Sequence, residues 1–201
     1  MSYWCLAYGS KVIGDLSGRK GMSDDQWVSD SAPYIRPHGG GSSNAWTEEA
    51  ARRGRTGGQR TLGVDTVSAP EEVRLALGLA QGAEVVVRRR LILLDNDPVE
   101  LSDSYYPATI AAGTRLADPR KIPGGAVRLL ADLGYVGEDT VEHVRADTAT
   151  PELADLLGLT AGSAVLQLVR INATREGAPF EVSIMTMPPE RHLTYRLRRE
   201  T

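Results

Sequence analysis

The sequence predicts an α+β fold in which helices flank a mostly antiparallel sheet, and three features lead to this prediction. From Leu62 onward, short helical segments alternate with strands rich in Val, Leu and Ile. The tight-turn sequences Asp95-Asn96-Asp97 and Glu176-Gly177 separate pairs of strands and therefore predict two β-hairpins. Hairpins pair their strands antiparallel, which argues against a doubly wound parallel sheet. The third feature is an internal repeat of one helix–strand–hairpin–strand unit.

The elements follow in order from these patterns. A short helix is predicted from Thr47 to Arg53, with acids at its start, arginines at its end and Gly54 to terminate it. Further helices are predicted near 70–77, 125–133 and 151–157. Strands are predicted at 62–67, 84–94, 98–105, 138–147, 164–173, 179–187 and 192–198.

The repeat consists of two stretches that lie about 80 residues apart in the chain. The first contains LGLAQG at 77–82 and Arg90, and the second contains LGLTAG at 157–162 and Arg170. Their second strands begin with the similar sequences PVELS and PFEVS. Two such units are expected to pair their hairpins in one sheet around a pseudo-twofold axis, with a small-molecule cleft between them.

The first 44 residues are expected to form a flexible tail and linker, because Gly, Ser, Asp and Pro dominate them. Met22 leaves open that residues 1–21 are an upstream extension. Residues 45–201 are expected to form the single folded domain.

The composition excludes several classes of protein. No apolar run approaches the roughly 18 residues that a membrane span needs. The only cysteine is Cys5, and the three histidines are far apart, so neither a disulfide nor a metal site is expected. A net charge of −3 does not supply the general basic field of a nucleic-acid-binding protein. We therefore expect a soluble, cytoplasmic domain without a metal or other cofactor.

Three consecutive arginines in a predicted strand are the first candidate site. Arg88 and Arg90 should share one face of the strand, and Arg89 should point to the other. Each needs water, a carboxylate or an anionic ligand if it is buried. The residues alone leave open an ion pair with Glu100 or Asp103 and a bidentate contact to a ligand. For Arg170, the corresponding residue of the second unit, an ion pair with Glu181 is favoured; Arg170 also stays a candidate ligand-binding residue.

Gly124 and Gly125 open a predicted helix and are a second candidate. A helix start offers unpaired N–H groups, and glycine lets an anion approach the backbone closely, although a simple turn is the alternative. His143 and His192 are expected to be ordinary surface residues. The sequence has no Ser/His/Asp or Cys/His grouping and no phosphate-binding loop of the GxxxxGK[ST] kind.

From about Ala45 to Leu197 the chain resembles the UTRA domain, the effector-binding half of HutC-type regulators in the bacterial GntR family. The similarity is carried by the order and spacing of several stretches and not by one diagnostic motif. These stretches are Ala45-Trp46-Thr47-Glu48, the two LGLxxG motifs with Arg90 and Arg170, Pro98 to Pro107, Gly134, and Pro179-Phe180-Glu181 to Arg191. The resemblance implies a fold similar to chorismate lyase, an internal pocket for a small metabolite, and dimerisation through this domain.

Two departures from the family pattern bear on function. Family members carry an N-terminal winged helix-turn-helix, whereas the 44 residues before the match show no such periodicity, so no sequence-specific DNA binding is expected from this chain alone. Ile92, Gly125 and Ser102 replace an Arg, a Ser and a carboxylate that phosphosugar-binding members often use. The resemblance therefore favours a less highly charged metabolite, such as a carboxylate.

The resemblance also implies roles for single residues. Trp46 and Thr47 match the segment that closes the pocket, and Arg90 matches the arginine that binds the anion. Ser102, Glu181 and Tyr195 match positions that can hydrogen-bond the body of the ligand. Arg90 and Glu181 are ranked first, followed by Arg88, and a buried structural network is the alternative for them.

The leading functional prediction is a sensor of a small anionic metabolite that acts in transcriptional control. It would act as a homodimer, or as a heterodimer with a full-length relative. The alternatives are a chorismate-lyase-like enzyme acting on a small organic acid, and a remnant regulator whose pocket binds nothing. No enzymatic activity is expected, because no general base has an obvious place.

Overall fold

The computed structural model describes residues 28–29 and 45–195, and the α+β fold that the sequence predicts is confirmed. The strands are β1 (Val28–Ser29), β2 (Gly57–Ser68), β3 (Glu84–Leu94), β4 (Asp97–Pro107), β5 (Asp139–Thr148), β6 (Ala164–Ala173), β7 (Pro179–Met187) and β8 (His192–Leu193). The helices are α1 (Ala45–Arg52), α2 (Glu71–Ala76), α3 (Ala108–Ala111), α4 (Gly125–Asp132) and α5 (Pro151–Leu157), with a 3₁₀ turn at Arg115–Ala117.

Six of the strands form one antiparallel sheet in the order β2-β3-β4-β7-β6-β5. Both predicted hairpins are present, β3–β4 and β6–β7, and they meet along β4 and β7 at the centre. Asp95 and Asn96 both have positive φ angles, of 51° and 74°, as a two-residue type I′ turn requires. The two units α2-β3-β4 and α5-β6-β7 have the same order of elements. The internal repeat and its pseudo-twofold axis stay predictions.

The two faces of the sheet are covered differently. On the outer face, Val73 and Leu77 at α2 pack against Val85, Tyr105 and Val182, and α5 packs against Val165. On the inner face, α1 covers the end of the sheet near the β3–β4 turn. The segment from α3 to α4 covers the opposite end through an apolar cluster whose buried members are Val86, Tyr106, Ala111, Leu116, Ile122, Leu130 and Phe180. The middle of the inner face lies between these two covers.

Several predicted boundaries need correction. The strand predicted at 62–67 begins at Gly57, because pairing with β3 as far as Leu94 holds the two glycines in the ladder. The strand predicted at 192–198 consists of His192–Leu193, which pairs in parallel with Val28–Ser29 in the predicted tail. Positions 196–198, and the rest of the predicted tail to residue 44, lie outside the described residues.

The sequence analysis did not predict α3 or the 3₁₀ turn. These elements have four and three residues, respectively, too short for a helical period to be recognised. They hold the chain on the inner face directly after β4, where they contribute Ala111 and Leu116 to the core.

Gly57 is expected to be required for the docking of α1 onto β2. A Cβ atom at this position would lie 3.0 Å from Ala50 Cβ and from the indole Nε1 and the carbonyl oxygen of Trp46. Gly57→Ala should therefore lower the free energy of unfolding by about 1–3 kcal/mol, as overpacking does in other cores. Gly58→Ala is the matched control, because its Cβ would meet only Leu93, at 3.6 Å. Equal unfolding midpoints in urea for the two variants would contradict this prediction.

Candidate functional site

A strip of polar side chains crosses the middle of the inner face. We call it the polar strip, and define it as Arg90 on β3, Glu100, Ser102 and Ser104 on β4, and Glu181 and Ser183 on β7. The register places Arg90 opposite Ser102 and places Ser104 opposite Ser183. Since side chains alternate between faces along a strand, residues two apart on β4 share the inner face. The strip therefore brings together residues from both units of the chain.

Hydrogen bonds link the polar strip from Arg90 to Glu181. The Arg90 Nη2 group donates to Ser102 Oγ at 3.1 Å and to Ser104 Oγ at 2.9 Å. The hydroxyl oxygens of Ser104 and Ser183 are 2.8 Å apart, and Ser183 Oγ donates to Glu181 Oε1 at 3.2 Å. Three of the residues that the sequence analysis proposed, Arg90, Ser102 and Glu181, thus belong to one network.

Glu181 is buried, and three donors hold its carboxylate. Besides Ser183, the Tyr106 hydroxyl donates at 3.1 Å and Asn172 Nδ2 donates at 2.8 Å. Asn172 is itself fixed by Thr140, whose hydroxyl donates to its Oδ1 at 3.0 Å. Burial raises the pKa of Tyr106, so its hydroxyl keeps the proton that it donates. Glu181 is therefore rigidly placed before any ligand arrives.

Arg170 does not pair with Glu181, and the predicted ion pair between them is wrong. Its Nε donates to Glu142 Oε1 on the neighbouring strand at 2.6 Å, and both side chains are about nine-tenths buried. The register explains this choice, because Glu142 lies directly opposite Arg170, whereas Asn172 lies opposite Glu181. A contact of Arg170 with a ligand stays a prediction.

Arg88 has a structural role on the inner face, and a contact of Arg88 with a ligand stays a prediction. Its guanidinium group is buried and donates to the backbone carbonyls of Arg115, Leu116, Asp118 and Arg120. Burial lowers the pKa of Arg88. This side chain therefore anchors the 3₁₀ turn and the following loop to β3. Arg89 points to the outer face, as predicted, and pairs with Asp103 at 2.7 Å.

The Nε group of Arg90 is a buried donor without a hydrogen-bond partner in the described part of the chain. Burying an unmade hydrogen bond of this kind costs about 1–3 kcal/mol. Because the Nη2 group is held by two serines, the orientation of the guanidinium group is fixed, and Nε is left as its buried donor without an acceptor. This is the strongest sign of a ligand site on the inner face.

Glu100 is a second unusual charged group of the polar strip. Burial raises the pKa of its carboxyl, while the positive charges of Arg191, Arg90 and Arg170 act in the opposite direction. The Glu100 carboxyl makes no hydrogen bond or ion pair with another described residue. Within the described ranges, the Glu100 carboxyl is thus subject to three positive charges without a hydrogen bond or ion pair to any of them.

Glu100→Gln is expected to stabilise the domain in a pH-dependent manner. The raised pKa means that the folded state binds more protons than the unfolded state, so the wild-type domain loses stability as pH rises above 4.5 towards the folded-state pKa. Glutamine removes this loss. The gain in free energy of unfolding should be smallest near pH 4 and largest at pH 7, as measured by urea denaturation. The exposed Glu84→Gln is the control, and a gain that is the same at every pH would contradict the prediction.

Trp46 and Arg191 lie at the α1 end of the polar strip. Trp46 is buried against Ile92 and Leu94, and its indole Nε1 donates to the Leu93 carbonyl at 2.9 Å. The guanidinium carbon of Arg191 lies 5.6 Å from the centre of the Trp46 ring, within the range of a cation–π interaction. Thr47 is the next residue of α1 and is partly exposed. A closing function of Trp46 and Thr47 stays a prediction.

The remaining candidates lie at the edge of this arrangement. Gly124 has a left-handed conformation at the N-cap of α4, and Gly125 also has a positive φ, so glycine is explained there by backbone geometry. Tyr195 is 51% exposed. Ligand contacts of these three residues stay predictions. A cleft opens beside the Glu181 end of the strip, between α4 and the sheet, and is lined by residues that include Val127, Leu130, Tyr135, Asn172 and Phe180.

The sequence analysis missed Ser104, Ser183, Tyr106 and Asn172 as members of the network, and considered Glu100 only as an ion-pair partner. The signal that could have found them is the hairpin register. Once Arg90 is placed opposite Ser102, alternation along β4 puts Glu100, Ser104 and Tyr106 on the same face. The described residues contain no group of three or more His, Cys, Asp or Glu side chains that could hold a metal ion. Nor do they contain a helix long and apolar enough to cross a membrane.

The UTRA domain family model matches residues 52–192. An uncharacterised HTH-type transcriptional regulator of Streptomyces coelicolor is 36% identical over 129 residues, which are 63% of this chain and 48% of the relative. An HTH-type transcriptional regulator of Mycobacterium tuberculosis is 30% identical over 133 residues, covering 65% of this chain and 48% of the relative. The chain thus spans about half the length of these curated relatives.

Solved structures show the same fold. The ligand-binding domain of a GntR-family transcriptional regulator from Bordetella bronchiseptica is 30% identical, with a TM-score of 0.63, and the match covers 71% of this chain and 91% of that domain. The effector domain of PhnF from Mycobacterium smegmatis is 22% identical with a TM-score of 0.67, covering 82% and 99%, respectively. At that identity the likeness to PhnF shows the fold alone.

Proposed function

Because the chain belongs to the UTRA domain family, we propose that it is the effector-binding part of a GntR-family transcriptional regulator and that it binds a small anionic metabolite at the polar strip. Effector binding is the role that this family has in such regulators. We further propose that the regulator is of the HutC type and that its effector is an anion.

The observation that carries the proposal is the unpartnered, buried Nε group of Arg90. An anionic oxygen from a ligand would complete the hydrogen bonding of this guanidinium and would gain the strength of a charge-assisted bond. Ser102 is buried and adjacent, and its hydroxyl can turn from Arg90 to a ligand. Glu181 is held by three donors, so it would position the network and accept from the body of the ligand only through an exchange of partners.

In a regulator, the binding of an effector changes function only if the effector binds two states of the protein with different affinities. We propose that the polar strip supplies this difference, since it joins β3 and β4 of the first unit to β7 of the second. An anion bound to Arg90 would compete with the hydrogen bonds that hold the two units together. One unit would then shift relative to the other, and this shift would change the positions of the attached parts of a regulator.

Self-association is a further part of the proposal. The sheet ends in β5, which pairs with β6 on one side, and its residues Val141 and Val144 are both nearly half exposed. These features are consistent with a dimer formed with a second copy or with a full-length relative. Sedimentation of the purified chain would show a mass of two chains if the homodimer forms, and a single-chain mass at high concentration would contradict it.

We also propose that the chain is not an enzyme. The relatives are named as transcriptional regulators, and the B. bronchiseptica structure is named as a ligand-binding domain. Fold similarity to a lyase is by itself a weak argument for lyase activity. Turnover of a chorismate-like acid in a direct assay would contradict this part of the proposal.

A thermal-shift screen tests the central proposal. The purified chain is heated with sugars, sugar phosphates, amino acids and organic acids, each in large excess. A ligand present at a hundred times its dissociation constant stabilises the folded state by about 2.7 kcal/mol, which corresponds to a midpoint shift of about 5–10 °C for a domain of this size. At least one anionic compound should reach this shift. If none of the compounds shifts the midpoint, the proposed function is wrong.

A further inference from the structure

We propose that Ser104 is a positioning residue of the effector site. Its hydroxyl group bridges Arg90 to Glu181 and thereby holds the guanidinium group of Arg90 in the orientation that receives an anion. This inference rests on the proposed function, because it concerns the arginine that would bind the effector. It gives a role to a residue that neither the sequence analysis nor the family relationship assigns to the site, and that would act without touching the effector.

Ser104 lies at the centre of the sheet, where the two units of the chain meet. It is fully buried, and the register places it directly opposite Ser183 on β7. The β4–β7 ladder has five residue pairs, against ten in the β3–β4 ladder. Side-chain hydrogen bonds across this short ladder therefore contribute a larger share of the contact between the units.

The hydrogens of the bridge can run in one direction only. A guanidinium group can only donate and a carboxylate can only accept, so the two ends of the bridge are fixed. The Ser104 hydroxyl oxygen accepts from Arg90 Nη2 at 2.9 Å. Ser183 gives its single hydrogen to Glu181 Oε1 at 3.2 Å. In the 2.8 Å contact between the two serines, Ser104 is therefore the donor.

Tyr106 provides a second route between the same two ends. The Ser104 hydroxyl also hydrogen-bonds the Tyr106 hydroxyl, which donates to Glu181 Oε1 at 3.1 Å. Both routes thus begin at Ser104 and end on one carboxylate oxygen. Arg90 and Glu181 therefore form an ion pair whose charges are joined through hydroxyl groups, and Ser104 is the residue that both routes share.

Ser102 holds the same Nη2 group at 3.1 Å but has a different role. Among the described residues, its side chain makes no hydrogen bond other than this one, so its hydrogen can turn to a ligand. The hydrogen of Ser104, in contrast, is used within the bridge. Ser102 can adjust to an effector while Ser104 keeps Arg90 in place. An arginine that is already fixed loses less freedom when an anion binds, which favours affinity.

Rotation of the Arg90 guanidinium group tests this positioning without a ligand. The rate of turning about the Nε–Cζ bond is measured by nitrogen NMR, and the Arg90 signals are identified by their absence in Arg90→Met. Ser104→Ala should speed the rotation about tenfold or more, because one hydrogen bond to a charged group no longer has to break. Thr186→Val is the matched control, since it removes a buried hydroxyl group on the outer face of β7, and its rate should equal that of the wild type.

A double-mutant cycle tests whether Ser104 carries the link between Arg90 and Glu181. Arg90→Met and Glu181→Gln are combined, and the unfolding equilibrium constants are measured by urea denaturation. Glutamine keeps an acceptor oxygen for the bridge but removes the charge. The two changes should be coupled by about fivefold in the wild-type chain and additive within about twofold in the Ser104→Ala background. An attraction that acts only through space would give the same coupling in both backgrounds.

The affinity for anions connects this positioning with effector binding. Acetate and inorganic phosphate are the probes, and each is titrated into the full chain while the Nε–H signal of Arg90 is followed. Ser104→Ala should weaken both by about fivefold, the cost of fixing a loosened side chain. The ratio of the two dissociation constants should stay the same, because Ser104 acts through Arg90 and not on the anion. Thr186→Val should bind both probes as the wild type does.

Three results would overturn the inference: a rotation rate that Ser104→Ala does not change, equal coupling in both backgrounds, or unchanged affinity for a probe that the wild type binds. A loss of affinity for one probe only would make Ser104 a ligand contact and not a positioning residue. If the wild-type chain binds neither probe and no compound of the thermal-shift screen, the proposed function is wrong. The rotation rates and the cycle then still decide whether Ser104 positions Arg90.

Discussion

Replacing Arg88 with methionine is expected to lower the free energy of unfolding by about 3–5 kcal/mol, the largest stability effect that we predict for a single substitution. The guanidinium group donates to the carbonyls of Arg115, Leu116, Asp118 and Arg120, with lengths of 2.8 Å to Leu116 and 3.2 Å to Arg115. Methionine fills similar space and donates nothing, so the buried carbonyl oxygen of Leu116 and three part-buried carbonyl oxygens lose their partner. Each costs about 1–3 kcal/mol unless water reaches it.

Urea denaturation measures this loss, and the thermal midpoint should fall by roughly 10 °C or more for a domain of this size. Arg88→Lys should recover little, because one ammonium group cannot serve carbonyls spread over six residues of the loop. Arg89→Met is the matched control on the opposite face. Arg89 pairs with Asp103 but its side chain is 51% exposed, so its loss should cost less than about 1 kcal/mol. Similar losses for the two methionine variants would show that Arg88 is not an anchor.

Replacing Arg90 with methionine is expected to weaken effector binding by about a hundredfold while the domain stays folded. Truncating one partner of a buried, hydrogen-bonded charge pair costs about 2–5 kcal/mol, which brackets that factor. Within residues 45–195 the Arg90 guanidinium donates to two serine hydroxyls, which can donate and accept with other groups after the change. The stability cost should therefore be about 1 kcal/mol, well below that of Arg88→Met.

Calorimetric titration with the anion found in the thermal-shift screen measures the effect on binding. Arg89→Met again serves as the control and should bind with the wild-type dissociation constant, because Arg89 lies on the outer face with Asp103. An Arg90→Met variant whose dissociation constant stays within about threefold of the wild type would remove the polar strip as the effector site. The same titration on Arg88→Met would show whether a correctly anchored loop is needed for binding.

Much of the fold could be predicted because its signals are local. The strands at 84–94, 164–173 and 179–187 and the helix at 151–157 have the predicted bounds. Runs of β-branched and aliphatic residues between turn sequences were sufficient for these elements. The segment from 108 to 117 was missed because its short helical turns are stabilised by the contacts of Leu116 with the core and by Arg88.

The candidate site could be predicted only in part. Period-two alternation places Arg88 and Arg90 on one face and Arg89 on the other, and the structure agrees. The neighbouring sequence does not indicate which of the two inner arginines has its hydrogen bonds made within the protein. The carbonyls that accept from Arg88 come from residues about 30 positions later in the chain. The pairing of Arg170 with Glu142 likewise depends on β5 lying beside β6, a neighbour that the sequence analysis did not assign.

The sequence by itself determined the elements and the two hairpins, because propensity, alternation and turn chemistry act over a few residues. It also showed that one strand carries three arginines, whose charges need a partner where they are buried. The tertiary structure decided which charges are already satisfied, because hydrogen bonds between strands depend on sheet order and register. On the inner face this leaves the Nε group of Arg90 as a buried donor without a hydrogen-bond partner in the described part of the chain.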